Sequence, residues 1–374
     1  MKILFLNYEF PPIGGGGANA TYYLFKEFAS FPELEIDLVT SAWGKGGSEN
    51  FSPNIRIHKL EIGKKRLHNW THREVLSYIY HTRQYIKKLS LKADLCHAFF
   101  GFPSGLIAYE LRKNLPYIVS LRGSDVPGFN HHFNLEYVFL TPLFKKIWAK
   151  SRRVIANSVG LRDLAHKTAP HQEIGVIYNG IDVDEFKPQV RKNSGKINLI
   201  IVSRLIGRKG IDYLLRAMPE VIKKFPQITL TIIGEGNLEQ HLQSLSADLG
   251  IAAGVSFLGF QEHSQMPRYY NNADIFILPS KNEGMSNTVL EAMACGLPII
   301  TTNTGGTGEL IRGNGVIIPM ENPQAIAEAV IRLISNPQER MMMGQKSREI
   351  ALEFSWRQQA LRYWEIYQQV GKLR

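Results

Sequence analysis

Ala273-Asp274-Ile275-Phe276-Ile277-Leu278-Pro279-Ser280-Lys281-Asn282-Glu283-Gly284-Met285-Ser286-Asn287-Thr288-Val289-Leu290-Glu291-Ala292-Met293-Ala294 reads as a strand, a loop and a helix. Four apolar residues, 275–278, stopped by Pro279, suit a strand buried on both faces. Residues 288–294 carry the helix. Gly284 permits an unusual backbone angle between them. The amide N–H groups of Met285, Ser286 and Asn287, at a helix start, favour an anion. Glu283 stands in the loop and Glu291 about a turn into the helix, so the two carboxylates flank whatever binds there. A carboxylate accepts two hydrogen bonds from a cis-diol, which suits a ribose, and the other carboxylate then suits sugar hydroxyls. The bland alternative is a capping Glu283 and a solvated Glu291. Two glutamates around Gly-Met-Ser, ahead of an otherwise apolar helix, argue against it.

Outward from this stretch the same alternation repeats. On its own side, strands are expected at 197–202, 228–233, 255–258, 298–302 and 315–318, and helices at 211–224, 238–249, 266–272, 325–335 and 337–354. Earlier in the chain, strands are expected at 3–6, 36–40, 95–98, 117–121, 154–157 and 175–178, with a first helix at 19–28. Alternating strand and helix patterns mean βαβ units and parallel sheets. With 374 residues and a polar linker at 186–196, two doubly wound α/β domains in series are expected. The domains are 1–187 and 188–354. A last helix, 355–374, carries apolar Ala360, Leu361, Tyr363, Trp364, Ile366 and Tyr367 and is expected to return to the first domain.

Open α/β sheets bind ligands at the carboxyl ends of their strands. There the second half places Ser203-Arg204-Leu205-Ile206-Gly207-Arg208-Lys209-Gly210, whose Arg204 and Lys209 are candidates to clamp adjacent phosphates. A solvated basic loop is the alternative. The Gly-x4-Gly-Lys-Ser/Thr phosphate loop is absent. Ile233-Gly234-Glu235-Gly236-Asn237 also joins strand to helix, as a wall for a base or phosphate or as a simple tight turn.

Cys96 and Cys295 are the only cysteines, too few for a disulfide framework or a Cys-rich zinc site, and a reducing, cytoplasmic compartment is expected. Residues 1–10 read as a first strand and not a signal peptide, and no apolar run is long enough to span a bilayer. The net charge of +11 is concentrated: Lys64 to Lys92 holds eight Lys/Arg against one acid, Glu74. That clustering, without a recognised nucleic-acid motif, argues against a nucleic-acid binder. The segment interleaves Leu67, Trp70, Val75, Leu76, Tyr78, Ile79 and Tyr80 with its cations, so it reads as a peripheral contact with an anionic membrane or as a solvated basic helix.

Taken together, these motifs resemble the retaining glycosyltransferases of family 4. The resemblance covers nearly the whole chain. It rests on the N-terminal Gly14–Gly17 cluster, Arg204 with Lys209-Gly210, Phe257-Leu258-Gly259, the stretch quoted above continuing into Cys295-Gly296-Leu297-Pro298, and Phe354-Ser355-Trp356. It implies the GT-B fold, two Rossmann-like doubly wound domains facing each other across a cleft. It implies Arg204 and Lys209 on a donor diphosphate, and Glu291 on the ribose. Glu283 with Gly284, Met285 and Ser286 would then hold the transferred sugar and distal phosphate, and the backbone near Leu258 would meet the base. Gly15, Gly16 and Gly17 would approach the donor across the cleft.

One departure stands out: where many members carry a His after the fourth strand, this chain has Arg122-Gly123-Ser124-Asp125. Arg122 suits a phosphate or sugar hydroxyl but is a poor general base, because it stays protonated. His97 resembles another family position and is a candidate acceptor or sugar contact, or a satisfied strand-end histidine. Asp125 is an acceptor ligand or a cap. Asp182-Val183-Asp184 most simply makes turns, so no metal and no cofactor are expected. The resemblance implies hexosyl transfer from a nucleotide-diphosphate sugar to a glycan or lipid-linked acceptor, with UDP-glucose or UDP-N-acetylhexosamine as donor ahead of GDP-mannose. A GT-B epimerase or phosphorylase is the alternative.

Overall fold

A computed structural model describes residues 1–67, 69–89, 92–130, 134–190 and 195–371. These residues form two compact units. One comprises Met1–Gly180 with the last helix, and the other comprises Ile181–Ser355.

The first unit is built on an eight-stranded sheet in the order β3-β4-β2-β1-β5-β6-β7-β8. Its strands are β1 (Lys2–Leu6), β2 (Glu35–Ser41), β3 (Gly47–Ser52), β4 (Ile55–Leu60), β5 (Leu95–Phe99), β6 (Tyr117–Leu121), β7 (Arg153–Ala156) and β8 (Ile174–Val176). All pairings are parallel except the edge pair β3–β4. The intervening helices are α1 (Gly16–Phe28), α2 (His72–Leu89), α3 (Ser104–Leu111), α4 (Asn134–Lys150) and α5 (Val159–Thr168). Chain order reverses between β1 and β5, which makes the loops after those strands the unit's switch point. The hairpin β3–β4 was not expected from the sequence.

The second unit holds a six-stranded, all-parallel sheet, β11-β10-β9-β12-β13-β14. Its strands are β9 (Asn198–Val202), β10 (Thr229–Ile233), β11 (Val255–Phe257), β12 (Ile275–Leu278), β13 (Ile299–Thr302) and β14 (Gly315–Ile318). The central strands are continuous apolar runs because helices cover both faces. α6 (Ile211–Lys224) shows the matching helical pattern, burying Ile211, Leu214, Leu215, Met218 and Val221. The other helices are α7 (Glu239–Asp248), α8 (Met266–Asn271), α9 (Asn287–Ala294), α10 (Pro323–Ser335) and α11 (Pro337–Leu352). Asn322 starts α10 by accepting the Ala325 amide at 3.0 Å. The switch point lies between β9 and β12.

The expected boundary at 187 needs correction: the first unit ends at Gly180. Residues 181–186 belong to the second unit because their backbone and side chains are held there. The Ile181 amide donates to the Phe354 carbonyl at 2.8 Å, and Arg348 donates to the carbonyls of Val183 and Phe186 at 3.0 and 2.8 Å. The expected linker falls partly on 191–194, outside the described residues. The last helix, α12 (Trp356–Gly371), packs on α1 and β5 in the first unit, with Trp356, Ala360, Tyr363, Tyr367 and Val370 joining that unit's core.

Candidate active site

The switch point of the second unit brings together two of the loops singled out from sequence, the one after β9 and the one after β12. Gly210, at φ +67°, lets the first loop press against the end of β12; a Cβ there would strike the Pro279 carbonyl oxygen. Arg208 Nη1 donates to the Asn282 carbonyl at 3.0 Å, and the Lys281 amide donates to the Arg208 carbonyl at 2.8 Å. The loops are therefore stitched together through Arg208.

Between them lies a buried ion pair. Lys209 Nζ donates to Glu283 Oε1, and Ser280 Oγ donates to the same oxygen at 2.8 Å. Burial lowers the Lys209 pKa, only partly offset by Glu283. Burial alone would raise the Glu283 carboxyl, but Lys209, Arg208 and the hydrogen bonds hold it below the ordinary carboxylate range. The ammonium has three donors and one goes to Glu283. Gly284, Met285 and Ser286 are buried beside the pair. Ser286 makes no side-chain capping bond to α9 and no acid sits in its first turn, which begins at Asn287, so the helix dipole there favours an anion.

A third loop, after β13, closes on the pair and was missed from sequence. Gly305, at φ +47°, lies on the Glu283 carbonyl, and the Gly306 amide donates to the Gly284 carbonyl at 2.8 Å. The hydroxyls of Thr304 and Thr307 in this loop are buried without a partner. The signal was present as Asn303-Thr304-Gly305-Gly306-Thr307 directly after a strand of the same sheet.

Glu291 is a second buried carboxylate, on α9. Tyr270 Oη donates to its Oε2 at 2.7 Å, and His263 Nε2 lies 3.4 Å from its Oε1. His263 Nδ1 is 3.7 Å from Glu185 Oε1. Burial would lower the His263 pKa, but Glu291 and Glu185 raise it, favouring the imidazolium between two carboxylates. Arg204, paired with Lys209 in the sequence reading, is exposed, and Arg208 is the cation that bridges the loops. Leu258 has both backbone groups engaged, its amide with Ile232 and its carbonyl with Gln261 Nε2. Gly234 tucks under the Ser203 carbonyl, and its amide donates to Gly259 at 2.8 Å. Asp182 Oδ1 accepts the amides of Asp184 and Glu185, the turn expected there.

In the first unit His97 and Asp125, each open between an acceptor contact and a structural role, take the structural one. His97 is fully buried: its Nδ1 is 2.7 Å from Tyr367 Oη and its Nε2 2.7 Å from Ser120 Oγ. Burial, with Arg122 adding to it, lowers its pKa to about 3, so it is a neutral core histidine and not a ligand contact. Asp125 is likewise buried and accepts the amides of Gly101, Arg122 and Gly123 at 2.6, 2.9 and 2.7 Å. It therefore ties the loops after β5 and β6 instead of facing a ligand. Arg122 stacks over Phe99 at 4.2 Å and donates to Asn179 Oδ1, with its Nε buried and unpartnered. The Gly15–Gly17 turn runs into the start of α1.

Two doubly wound α/β units, one with a buried Lys209–Glu283 pair at its switch point, have the GT-B architecture. Known proteins agree. Residues 182–350 match the family model for glycosyl transferases group 1, and residues 14–185 match that for glycosyltransferase family 4. The chain belongs to the family 4 glycosyltransferases. It is 25% identical over 378 residues to an uncharacterized glycosyltransferase of Methanocaldococcus jannaschii, covering 99% of each chain. It is 32% identical over 206 residues to a GDP-mannose-dependent phosphatidylinositol monomannoside mannosyltransferase of Mycolicibacterium smegmatis, covering 50% of this chain and 54% of that one. Among solved structures, sucrose-phosphate synthase of Thermosynechococcus elongatus superposes over 100% of both chains with a TM-score of 0.86 at 20% identity. An Anabaena protein in complex with UDP-glucose superposes over 99% of this chain and 100% of its own, with a TM-score of 0.76 at 20% identity.

Proposed function

We propose that the chain transfers a hexosyl group from a nucleotide-diphosphate sugar to a glycan or lipid-linked sugar acceptor, retaining anomeric configuration, in envelope or exopolysaccharide synthesis. The buried Lys209–Glu283 pair at the switch point carries this reading. A diphosphate set against Lys209 and the start of α9 takes over as partner to the ammonium, which frees Glu283 to accept sugar hydroxyls. Negative charge grows on the diphosphate as the anomeric bond breaks. Fixed positive groups aimed there act more strongly in that state than in the ground state. Lys209, Arg204 and Arg208 supply the charge that a metal would otherwise bring. Glu291, oriented by Tyr270 and His263, takes the ribose hydroxyls. The reading places the enzyme in the cytoplasm, peripheral at the inner face of the plasma membrane.

A UDP-sugar is the first donor, UDP-glucose or UDP-N-acetylhexosamine, in keeping with the Anabaena protein whose complexes hold UDP and UDP-glucose. GDP-mannose is the second, favoured by the Mycolicibacterium relative named for it. A thermal-shift panel of UDP, GDP and their sugars separates them. Glu283→Gln or Lys209→Met is expected to cut turnover by about 10²–10³-fold, and near-normal rates in either overturn the assignment. Product analysis separates transfer from epimerisation, which needs no acceptor, and from phosphorolysis, which turns over with inorganic phosphate.

A further inference from the structure

A helix flanking a doubly wound sheet buries one face and normally presents polar side chains on the other. In the first unit α2 and α4 depart from this together. On α2, Leu76 and Tyr80 are 64% and 58% exposed; on α4, Leu135, Val138 and Phe139 are 70%, 70% and 74% exposed. The starts of the two helices adjoin, because His72 Nε2 lies 3.3 Å from Glu136 Oε1. Leu76 and Tyr80 continue the His72 face at four-residue steps, and Phe139 continues the Glu136 face. Two apolar stripes thus leave one shared point along helices that both pack on α3.

The surroundings of these stripes are cationic. Arg73, Lys87 and Lys88 on α2 and Lys145, Lys146 and Lys150 on α4 are exposed. The only acids on the two helices are Glu136, beside His72, and Glu74, which is buried and accepts the amides of Lys65 and Thr71. Lys64–Lys92 does not form one amphipathic face. Tyr78 and Ile79 are spent in the core, and Lys64 is turned inward, 3.9 Å over the Trp70 ring and 3.4 Å from Glu74. Residues 68, 90 and 91 of that segment lie outside the described residues. The outward apolar groups come mainly from α4.

We propose that this α2–α4 face rests on an anionic lipid bilayer, with Leu76, Tyr80, Leu135, Val138 and Phe139 entering the acyl boundary and the lysines meeting lipid phosphates. Exposed apolar side chains continued along the same helix faces by cations, Tyr80 by Lys87 and Val138 and Phe139 by Lys145 and Lys146, fit such an interface. A second copy of the chain fits worse, since a two-fold contact would set this cationic face against itself. The orientation has a further consequence. α2 and α4 follow strands parallel to the rest of the sheet, so their N-terminal halves, which carry the apolar side chains, lie toward its carboxyl edge, where α/β sheets hold ligands. The acceptor is then a lipid-linked sugar, its sugar at that edge and its chain in the bilayer. This last clause rests on the glycosyl-transfer reading; the surface itself does not.

The test is co-sedimentation of the full chain with vesicles of phosphatidylcholine, with and without phosphatidylglycerol. Binding is expected only with phosphatidylglycerol present, and it should fall as salt rises. Leu135→Ser/Val138→Ser/Phe139→Ser and, separately, Lys145→Glu/Lys146→Glu should each weaken it by about tenfold or more. Lys223→Glu/Lys224→Glu on α6, the same charge change elsewhere, should bind as wild type does, and circular dichroism checks that every variant folds. Wild type left in the supernatant at low salt, or a serine variant that binds normally, overturns the proposal. So does a wild-type dimer in sedimentation velocity that Phe139→Ser dissociates. A chain that binds vesicles yet releases nucleotide from no sugar donor keeps the surface and loses the enzymatic reading, whereas a transferase indifferent to vesicles does the reverse.

Discussion

Lys209 and Glu283 come from different βα units and meet only at the switch point, each making the other's burial tolerable. Lys209→Met alone leaves a buried carboxylate with only Ser280 as hydrogen-bond partner and should cost about 3–5 kcal/mol. Lys209→Met/Glu283→Leu should recover most of that in urea unfolding while staying inactive. A double variant as unstable as the single one would remove the pair from the account of stability. Both residues were legible, because each stands in a loop between strand and helix. Their pairing was not, since spacing along the chain says nothing of the distance between two such loops. At His97 the structure realises the alternative of a satisfied strand-end histidine. Its apolar neighbours on a strand buried on both faces leave it no route to solvent, and its partner Tyr367 comes from the far end of the chain. It also sets a pH dependence. The unfolded chain binds a proton near pH 6.5 and the folded one only near 3, so the contribution is fully present above 6.5 and is lost on acidification. Its share should be about 1.4 kcal/mol per pH unit through that window. Unfolding titrations of His97→Gln should lose this part of the slope, and an unchanged slope would mean another group carries it.

Loops and edge strands show where local pattern stops being informative. Gly210 is required at φ +67° against the Pro279 carbonyl, whereas Gly207, three residues earlier, has only Leu238 Cδ1 at 4.0 Å. Gly210→Ala should therefore cost about 2–4 kcal/mol and weaken nucleotide binding, while Gly207→Ala should stay within about 0.5 kcal/mol. Thermal unfolding with and without UDP checks both. Equal effects would show that the loops are not locked as described. The central strands were readable as apolar runs stopped by Gly, Pro or Asn. β3 was not, since Gly47–Ser52 is polar and mostly exposed and becomes a strand only by pairing with β4. The loop after β13 was overlooked for a related reason: its threonines and glycines look like ordinary turn residues until their burial beside Glu283 is known.

At the level of the whole chain, the second unit is continuous and the first is not. The first sheet is complete only when α12 supplies Tyr363 and Tyr367 to Ser120 and His97. A chain ending at Ser355 should leave the first unit unfolded or aggregated, whereas residues 181–355 alone should unfold cooperatively and bind nucleotide. Calorimetry of the two truncations checks this, and a first unit that melts normally without α12 would contradict it.

That arrangement also dictates a timetable during translation. By the time β8 has left the ribosome the first half has every strand it will own, yet its closing helix lies beyond the entire second unit, Ile181–Ser355, further along the message. At about 5–20 residues per second the wait is on the order of ten to thirty-five seconds. Throughout it, a nearly finished sheet exposes the groove that the aromatic side chains of α12 will fill. The unit made second can be native first, and the earlier half is the one that spends longest within reach of chaperones and proteases.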